Sequence, residues 1–476
     1  MDFFATAAIV IALSALFGYI NVKFLKLPNT IGLMVIAIVF TLLLFVGEHF
    51  GVDWFYNQAE LLVKSIDFEA VLMEIMLGFL LFAGAMHTNF DQLKIQRWPV
   101  LIFATLGVLA STFIVAAVVY FVFPLLGQPI KWIHCLLFGA LISPTDPIAV
   151  LGILKKAGVP KKLETKIVGE SLFNDGVGVV VFLTIMSIAT GGSGHGHADS
   201  QSPTQATTSI YHAEGYYVAT EYALDEQAHD DQAQSHEATE PQPPESAIMQ
   251  VGGVLKLFAQ EVFGGIIFGL VIGYLTFRLL RSIDDYEIEV MITLACVMGG
   301  YSLAYYLGLS APLAIVVAGL IVGNDTVRGT SMSSLTEEYV DKFWELMDML
   351  MNAILFVLIG LEMLVLEISQ EFIICGLVAI PIVLLARYVS LLAPVAFFKK
   401  RLDFTPHTST IMAWGGLRGG ISIALALSMP HEMSRNLLVT VTYCVVVFSI
   451  IVQGLSVGKL AKALIGSESA KPDRLN

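Results

Sequence analysis

Two polar stretches stand where the chain is otherwise apolar. Ser143-Pro144-Thr145-Asp146-Pro147 is preceded by Leu-Leu-Phe-Gly-Ala-Leu-Ile and followed by Ile-Ala-Val-Leu-Gly-Ile. Charge inside a membrane span is costly and defaults to function. Proline lacks an N–H and clashes with the preceding turn, so two of them break the helical ladder. Broken backbone at membrane depth survives only where protein buries it or it lines a cavity. The stretch therefore predicts two half-helices meeting at a polar break, which is how ion-coupled transporters build a site near the bilayer midplane. The next span carries the second stretch, Gly169-Glu170-Ser171-Leu172-Phe173-Asn174-Asp175. Residues four apart share a helix face, so Ser171 with Asp175 and Glu170 with Asn174 form neighbouring polar ridges. Gly169, Gly176 and Gly178 let another backbone come close. Hydroxyl, amide and carboxylate oxygens suit hard cations, so this cluster, facing Thr145 and Asp146, has the chemistry to replace the water around a small cation.

Asp175 is the candidate carrier of both proton and ion. Burial disfavours its charged form and a bound cation favours it. One carboxyl then holds either H+ or a cation, which is the simplest physical basis of exchange. The bland alternative is a hydrogen-bonded carboxyl that only ties the bundle together. Asp146 either binds the ion or neutralises the positive ends of the half-helices. Arg387, well inside a span, needs a partner, and Glu170 is the candidate, making that pair structural. Arg418 sits in Trp414-Gly-Gly-Leu-Arg-Gly-Gly420, a second interruption; its charge offsets carbonyl ends or Asp146. Glu345 and Asp348 fall near an inner span end, where an exposed face is the default. Glu362 falls near an outer end, and Glu74 about a third of the way into its span.

The elements that must position these residues are membrane spans. The 476 residues are 56% hydrophobic and 14% charged, with mean hydropathy +0.77; soluble chains carry roughly 25% charged residues. Apolar stretches of about 20 residues occur at 3–22, 28–46, 68–88, 98–126, 132–153, 164–190, 250–278, 287–307, 311–324, 343–366, 371–398, 407–430 and 436–458. That predicts an all-α polytopic membrane protein of about thirteen helices, with 47–67 a surface loop or interfacial helix. With the N-terminus outside, twenty of the 26 Lys and Arg residues fall in inner loops. Three (Lys64, Lys131, Arg435) fall in outer loops, and three (Lys256, Arg387, Arg418) within spans. This asymmetry orients the chain, C-terminus inside. The two interruptions suggest inverted six-span repeats at 1–190 and 287–465, connected by span seven at 248–286, since matching spans then have opposite topology. Residues 191–247 carry ten acids, five histidines and no Lys or Arg. That composition reads as a disordered outer linker, the other reading being a weak His-bearing cation collector. Residues 466–476 form a short inner tail. Cys135, Cys296, Cys375 and Cys444 lie in apolar spans with no metal-ligand spacing, so neither a disulfide nor a metal framework is expected.

The motifs Ser143-Pro-Thr-Asp-Pro147, Gly169-Glu-Ser-Leu-Phe-Asn-Asp-Gly176, Ala386-Arg387, Gly415-Gly-Leu-Arg-Gly419 and the run Asn352 to Glu362 resemble the monovalent cation:proton antiporter 1 family. That family comprises the NhaP-type bacterial sodium/proton antiporters, related to animal exchangers. The resemblance covers nearly the whole membrane region and implies the NhaA-like antiporter fold with crossed discontinuous helices. It implies a homodimer in the bacterial cytoplasmic membrane, exchanging Na+ or Li+ for H+ in pH homeostasis, with no cofactor and no nucleic acid. Asp175 would bind ion and proton, with Thr145 and Ser171 as further Na+ contacts. Asn174 stands where electrogenic relatives have a second aspartate, so one-for-one electroneutral exchange is expected. Glu170 would pair with Arg387. Departures exist: Leu81-Phe82 is followed by Ala83 where some members have a glutamate, and the long acidic loop is outside the common pattern.

Competing readings are a K+/H+ antiporter and a cation channel using the same break as a filter. An intramembrane enzyme ranks last, because no Ser-His-Asp pattern or His-Glu-x-x-His site is present.

Overall fold

A computed structural model describes residues 3–88, 90–190, 245–324, 333–366, 369–398 and 407–469. In lipid a backbone must satisfy its own hydrogen bonds, and the long apolar runs do so as helices. In chain order they are α1 (Phe4–Leu25), α2 (Asn29–His49), the surface helix α3 (Asp53–Lys64), α4 (Phe68–Met86) and α5 (Arg97–Leu126). A broken pair follows, α6 (Trp132–Leu141) and α7 (Pro147–Ala157), then α8 (Lys161–Ala189), α9 (Glu245–Leu280) and α10 (Tyr286–Tyr306). The rest are α11 (Ala311–Val322), α12 (Ser334–Glu362), α13 (Gln370–Phe398), a second broken pair α14 (Thr408–Gly415) and α15 (Gly420–Leu427), and α16 (Arg435–Ile465). Ten of these helices are long and apolar enough to cross a membrane. With α11 and the two broken pairs they give thirteen crossing segments in the predicted order. This is a multi-pass membrane protein.

Several boundaries depart from hydropathy. α12 begins at Ser334, not near 343, because Ser333 caps it, accepting from the Thr336 N–H, with Glu337 in the first turn; capping and the helix dipole, not apolarity, hold that end. α11 has only 12 residues, about 18 Å of helix against a hydrocarbon core of about 30 Å. It is buried almost throughout, against α4, α9 and α10. Lys166, counted among the inner-loop cations, is buried within α8. The 191–247 stretch lies outside the described residues except for 245–247, which open α9.

One apolar core joins α5, α6, α8, α13 and α16 around Phe138, Phe182 and Val383. A second joins α1, α2, α4, α12 and α16 around Phe17, Met34 and Phe356. α15 gives Leu425 and Ala426 to the first and Ile423 and Ala424 to the second, so the half-helix after the second break is clamped by both. The outer faces of α1, α9 and α10 expose Leu16, Val271, Leu275 and Tyr305, as a surface meeting lipid does.

α5 and α6 touch backbone to backbone. A Cβ at Gly139 would stand 2.3 Å from the Thr112 carbonyl oxygen, and backbone cannot swing aside. Gly139→Ala should destabilise the detergent-solubilised protein by about 1–3 kcal/mol, the usual cost of overpacking, read as a lower melting temperature. An unchanged melt would mean that α5 and α6 separate freely.

Candidate functional site

The two breaks cross. Between α6 and α7 the chain runs through Ser143, Pro144, Thr145 and Asp146; between α14 and α15 it runs through Gly416 to Gly419. The segments pair antiparallel at Asp146 and Leu417, where the Asp146 N–H donates to the Leu417 carbonyl at 2.7 Å. Freed backbone groups at membrane depth must find partners, and here they do. The Thr145 N–H donates to Asn174 Oδ1 at 3.1 Å. The Ser143 and Pro144 carbonyls accept from Arg418 at 2.5 and 3.0 Å. The Arg418 N–H donates to Ser449 Oγ, and Gln453 Nε2 to the Trp414 carbonyl, each at 2.9 Å. Ser449 and Gln453 bound a π-helical turn inside α16, a distortion that often marks functional sites.

The charges at the crossing compensate one another. The negative C-terminal end of α6 receives the Arg418 guanidinium from the other break. Asp146 immediately precedes α7 and packs against Gly419 at the start of α15, where a Cβ would lie 3.1 Å from its own. It therefore sits at two positive helix ends. Each break supplies the charge that the other needs.

α8 lies alongside α6 and α7 and delivers the polar cluster. Thr145 Oγ1 is 3.0 Å from Ser171 Oγ, and Ser171 also donates to the Thr145 carbonyl. Asn174 Nδ2 donates to Thr145 Oγ1 at 2.8 Å and to Glu170 Oε1 at 2.9 Å. Glu170 Oε2 accepts from Arg387 at 2.6 Å, both side chains 2% exposed. The Asn174 amide thus bonds the first break on one side and Glu170 on the other. Asp175 is 5% exposed, with Asp146, Glu170 and Arg418 as the charges around it.

Asp175, Thr145, Asp146 and Pro144 line a cavity of about 50 Å³ with Asn352, Gly419, Gly420 and Ser422. One water needs roughly 10–15 Å³ by this measure, so the space suits a small cation with a few waters. α4 contributes Leu77, Leu80, Leu81 and Gly84 to the wall, none with a polar side chain; Ala83 is buried in packing. Gly178 of α8 lets the first break come close: a Cβ there would lie 2.5 Å from Pro144 Cγ.

One expectation needs correction. Asp348 is not on an exposed face. It is half-buried, accepts from Asn352 Nδ2 at 3.0 Å and interacts electrostatically with Asp146. The N-terminal extension of α12 from Ser334 carries it into the bundle, and Asn352, which bonds it, lines the cavity. Ser422, Ser449 and Gln453 escape sequence reasoning as site residues. Single polar residues in apolar helices carry no local signal; their roles come from segments far apart in sequence.

A bundle of membrane helices in which two discontinuous helices cross beside buried carboxylates, hydroxyls and a narrow cavity defines a transporter of the ion-coupled class. The sodium/hydrogen exchanger transmembrane family matches residues 11–463, and the chain belongs to that family. It is 42% identical to the Na(+)/H(+) antiporter NhaP of Pseudomonas aeruginosa over 463 residues, 96% of each chain. It is 30% identical to the Na(+)/H(+) antiporter NhaH of Halobacillus aidingensis over 93% of each. The fold is similar to that of the sodium proton antiporter MjNhaP1 from Methanocaldococcus jannaschii, with TM-score 0.69 and 18% identity over 98% of this chain and 100% of that one.

Proposed function

We propose that the protein exchanges Na+ or Li+ for H+ across a bacterial cytoplasmic membrane, one for one, by alternating occupation of Asp175. The observation that carries this reading is the placement of Asp175 on one small cavity with Thr145 and Asp146, at the crossing of the two breaks. Two states compete for the carboxylate. A proton neutralises it in its buried setting; a cation does the same with added oxygen ligands from Thr145 and Ser171. Neutral either way, the loaded carrier is cheaper to move through a low-dielectric region than the bare charge. The rest of the reading follows: the N-terminus outside and the C-terminus inside, inverted repeats over 1–190 and 287–465 rocking around the site, and a homodimer. The relatives named as Na(+)/H(+) antiporters support the choice of ions.

Reconstitution tests it. In proteoliposomes with an internal pH dye, Na+ and Li+ gradients should drive proton movement. K+ should not, and clamping a membrane potential should leave the rate unchanged. A rate that follows the imposed voltage sinks one-for-one stoichiometry; faster movement with K+ sinks the choice of ion.

A further inference from the structure

Ser422 lies in the first turn of α15. It is 1% exposed, lines the cavity with Asp175, and its hydroxyl has no hydrogen-bond partner. Leaving a buried hydroxyl unpaired costs free energy, so such a group in a native structure calls for a reason. Elsewhere in this chain buried hydroxyls turn back onto the carbonyl four residues earlier: Ser14 onto Val10, Ser143 onto Gly139, Thr442 onto Leu438. Ser422 has no such recourse. Four residues before it is Arg418, in the break, ahead of the helix that starts at Gly420. Ser111 is also buried without a partner, but it does not line the cavity.

We propose that Ser422 Oγ is a direct ligand of the transported monovalent cation, so that one ion is held by oxygens from both broken pairs. The proposal rests on Asp175 as the carrier and adds the second pair to its coordination. No α4 side chain lining the cavity carries an oxygen, whereas Ser422 on the second broken pair does. A hydroxyl offers two lone pairs and is a hard ligand suited to a small cation. The start of α15 is partially positive and taken alone repels a cation. Asp146 packed against Gly419, and Asp175 on the same cavity, reverse that sign locally.

The full-length protein, purified and reconstituted, is compared as wild type, Ser422→Ala, Ser422→Thr and Asp175→Asn. Exchange is measured against Na+ and Li+ concentration, and the melting temperature in detergent is followed as Na+ is added. Ser422→Ala should raise the half-saturating cation concentration about tenfold, equivalent to about 1.4 kcal/mol. The Na+-induced rise in melting temperature should move to correspondingly higher Na+, while the melt without cation stays near wild type. Ser422→Thr, which keeps the oxygen, should stay closer to wild type in both. If Ser422→Ala matches wild type in both titrations, or loses maximal rate with half-saturation unmoved, the hydroxyl is not a ligand and the proposal is overturned. Asp175→Asn separates the two levels of argument. It should lose the Na+-induced stabilisation; if it keeps it, the carrier reading itself falls, whatever Ser422 does.

Discussion

Asp175→Asn should reduce Na+-dependent proton movement to the background of vesicles lacking the protein. Asparagine has nearly the same shape and size as aspartate, so the packing of α8 against α6 and α7 should survive, and the variant should melt close to wild type. What it loses is the titratable charge. An amide cannot hold the exchanged proton, and it leaves the cavity with one anionic oxygen pair fewer for the cation. Both halves of the exchange fail at one atom group, so no change of pH or Na+ concentration should restore it. Asp175→Glu keeps the charge but moves it by one methylene in a cavity of about 50 Å³. Misplacement on the scale of 1 Å can cost about 100-fold, so that variant should retain Na+ dependence at a strongly reduced rate. Everted vesicles loaded with a pH-gradient dye read both results. Intact Na+-dependent proton movement in Asp175→Asn would remove the competition on which the proposed mechanism rests.

The pieces of the site legible in the sequence are those that violate the rules of their surroundings. Two prolines and an aspartate in the apolar run 136–153 have no place in a plain span, and the break they predict is there. Arg387 alone in a span demands a counter-charge, and Glu170 meets it at 2.6 Å. The spacing of Glu170, Ser171, Asn174 and Asp175 gives one polar face directly. What stayed hidden obeys local rules. Ser422 and Ser449 are small polar residues of the kind found throughout membrane helices. Only the folding of residues 143–146 against 416–419 shows that one lines the cavity and that the other accepts from the Arg418 backbone. Asp348 misleads for a related reason. Hydropathy starts its span near 343 and leaves Asp348 close to the surface, whereas capping at Ser333 starts the helix at Ser334 and carries Asp348 deeper.

Arg387→Ala should fail in a different way from Asp175→Asn, through the fold and not the chemistry. It strands Glu170, 1% exposed, as a buried carboxylate without its directly bonded counter-charge. Breaking a buried ion pair from one side costs about 3–5 kcal/mol, a large share of the roughly 5–15 kcal/mol that holds a typical domain together. The damage should spread, because Glu170 Oε1 anchors the Asn174 amide, which holds the Thr145 N–H and Oγ1. A displaced Glu170 releases Asn174 and, with it, the shape of the first break. The single variant should therefore accumulate poorly, melt much earlier in detergent and lose exchange along with the folded protein. Removing both charges should be milder than removing one. Arg387→Met with Glu170→Gln leaves no buried charge unpaired, and the glutamine oxygen can still accept from Asn174. The double variant should recover much of the melting temperature lost by Arg387→Ala, with a coupling energy on the order of 1–3 kcal/mol, as for residues in direct contact. A double variant no more stable than the single, or a single as stable as wild type, would mean that this pair does not hold α8 to α13. Wild-type stability in Arg387→Ala together with lost Na+ dependence would instead place Arg387 in the transport step.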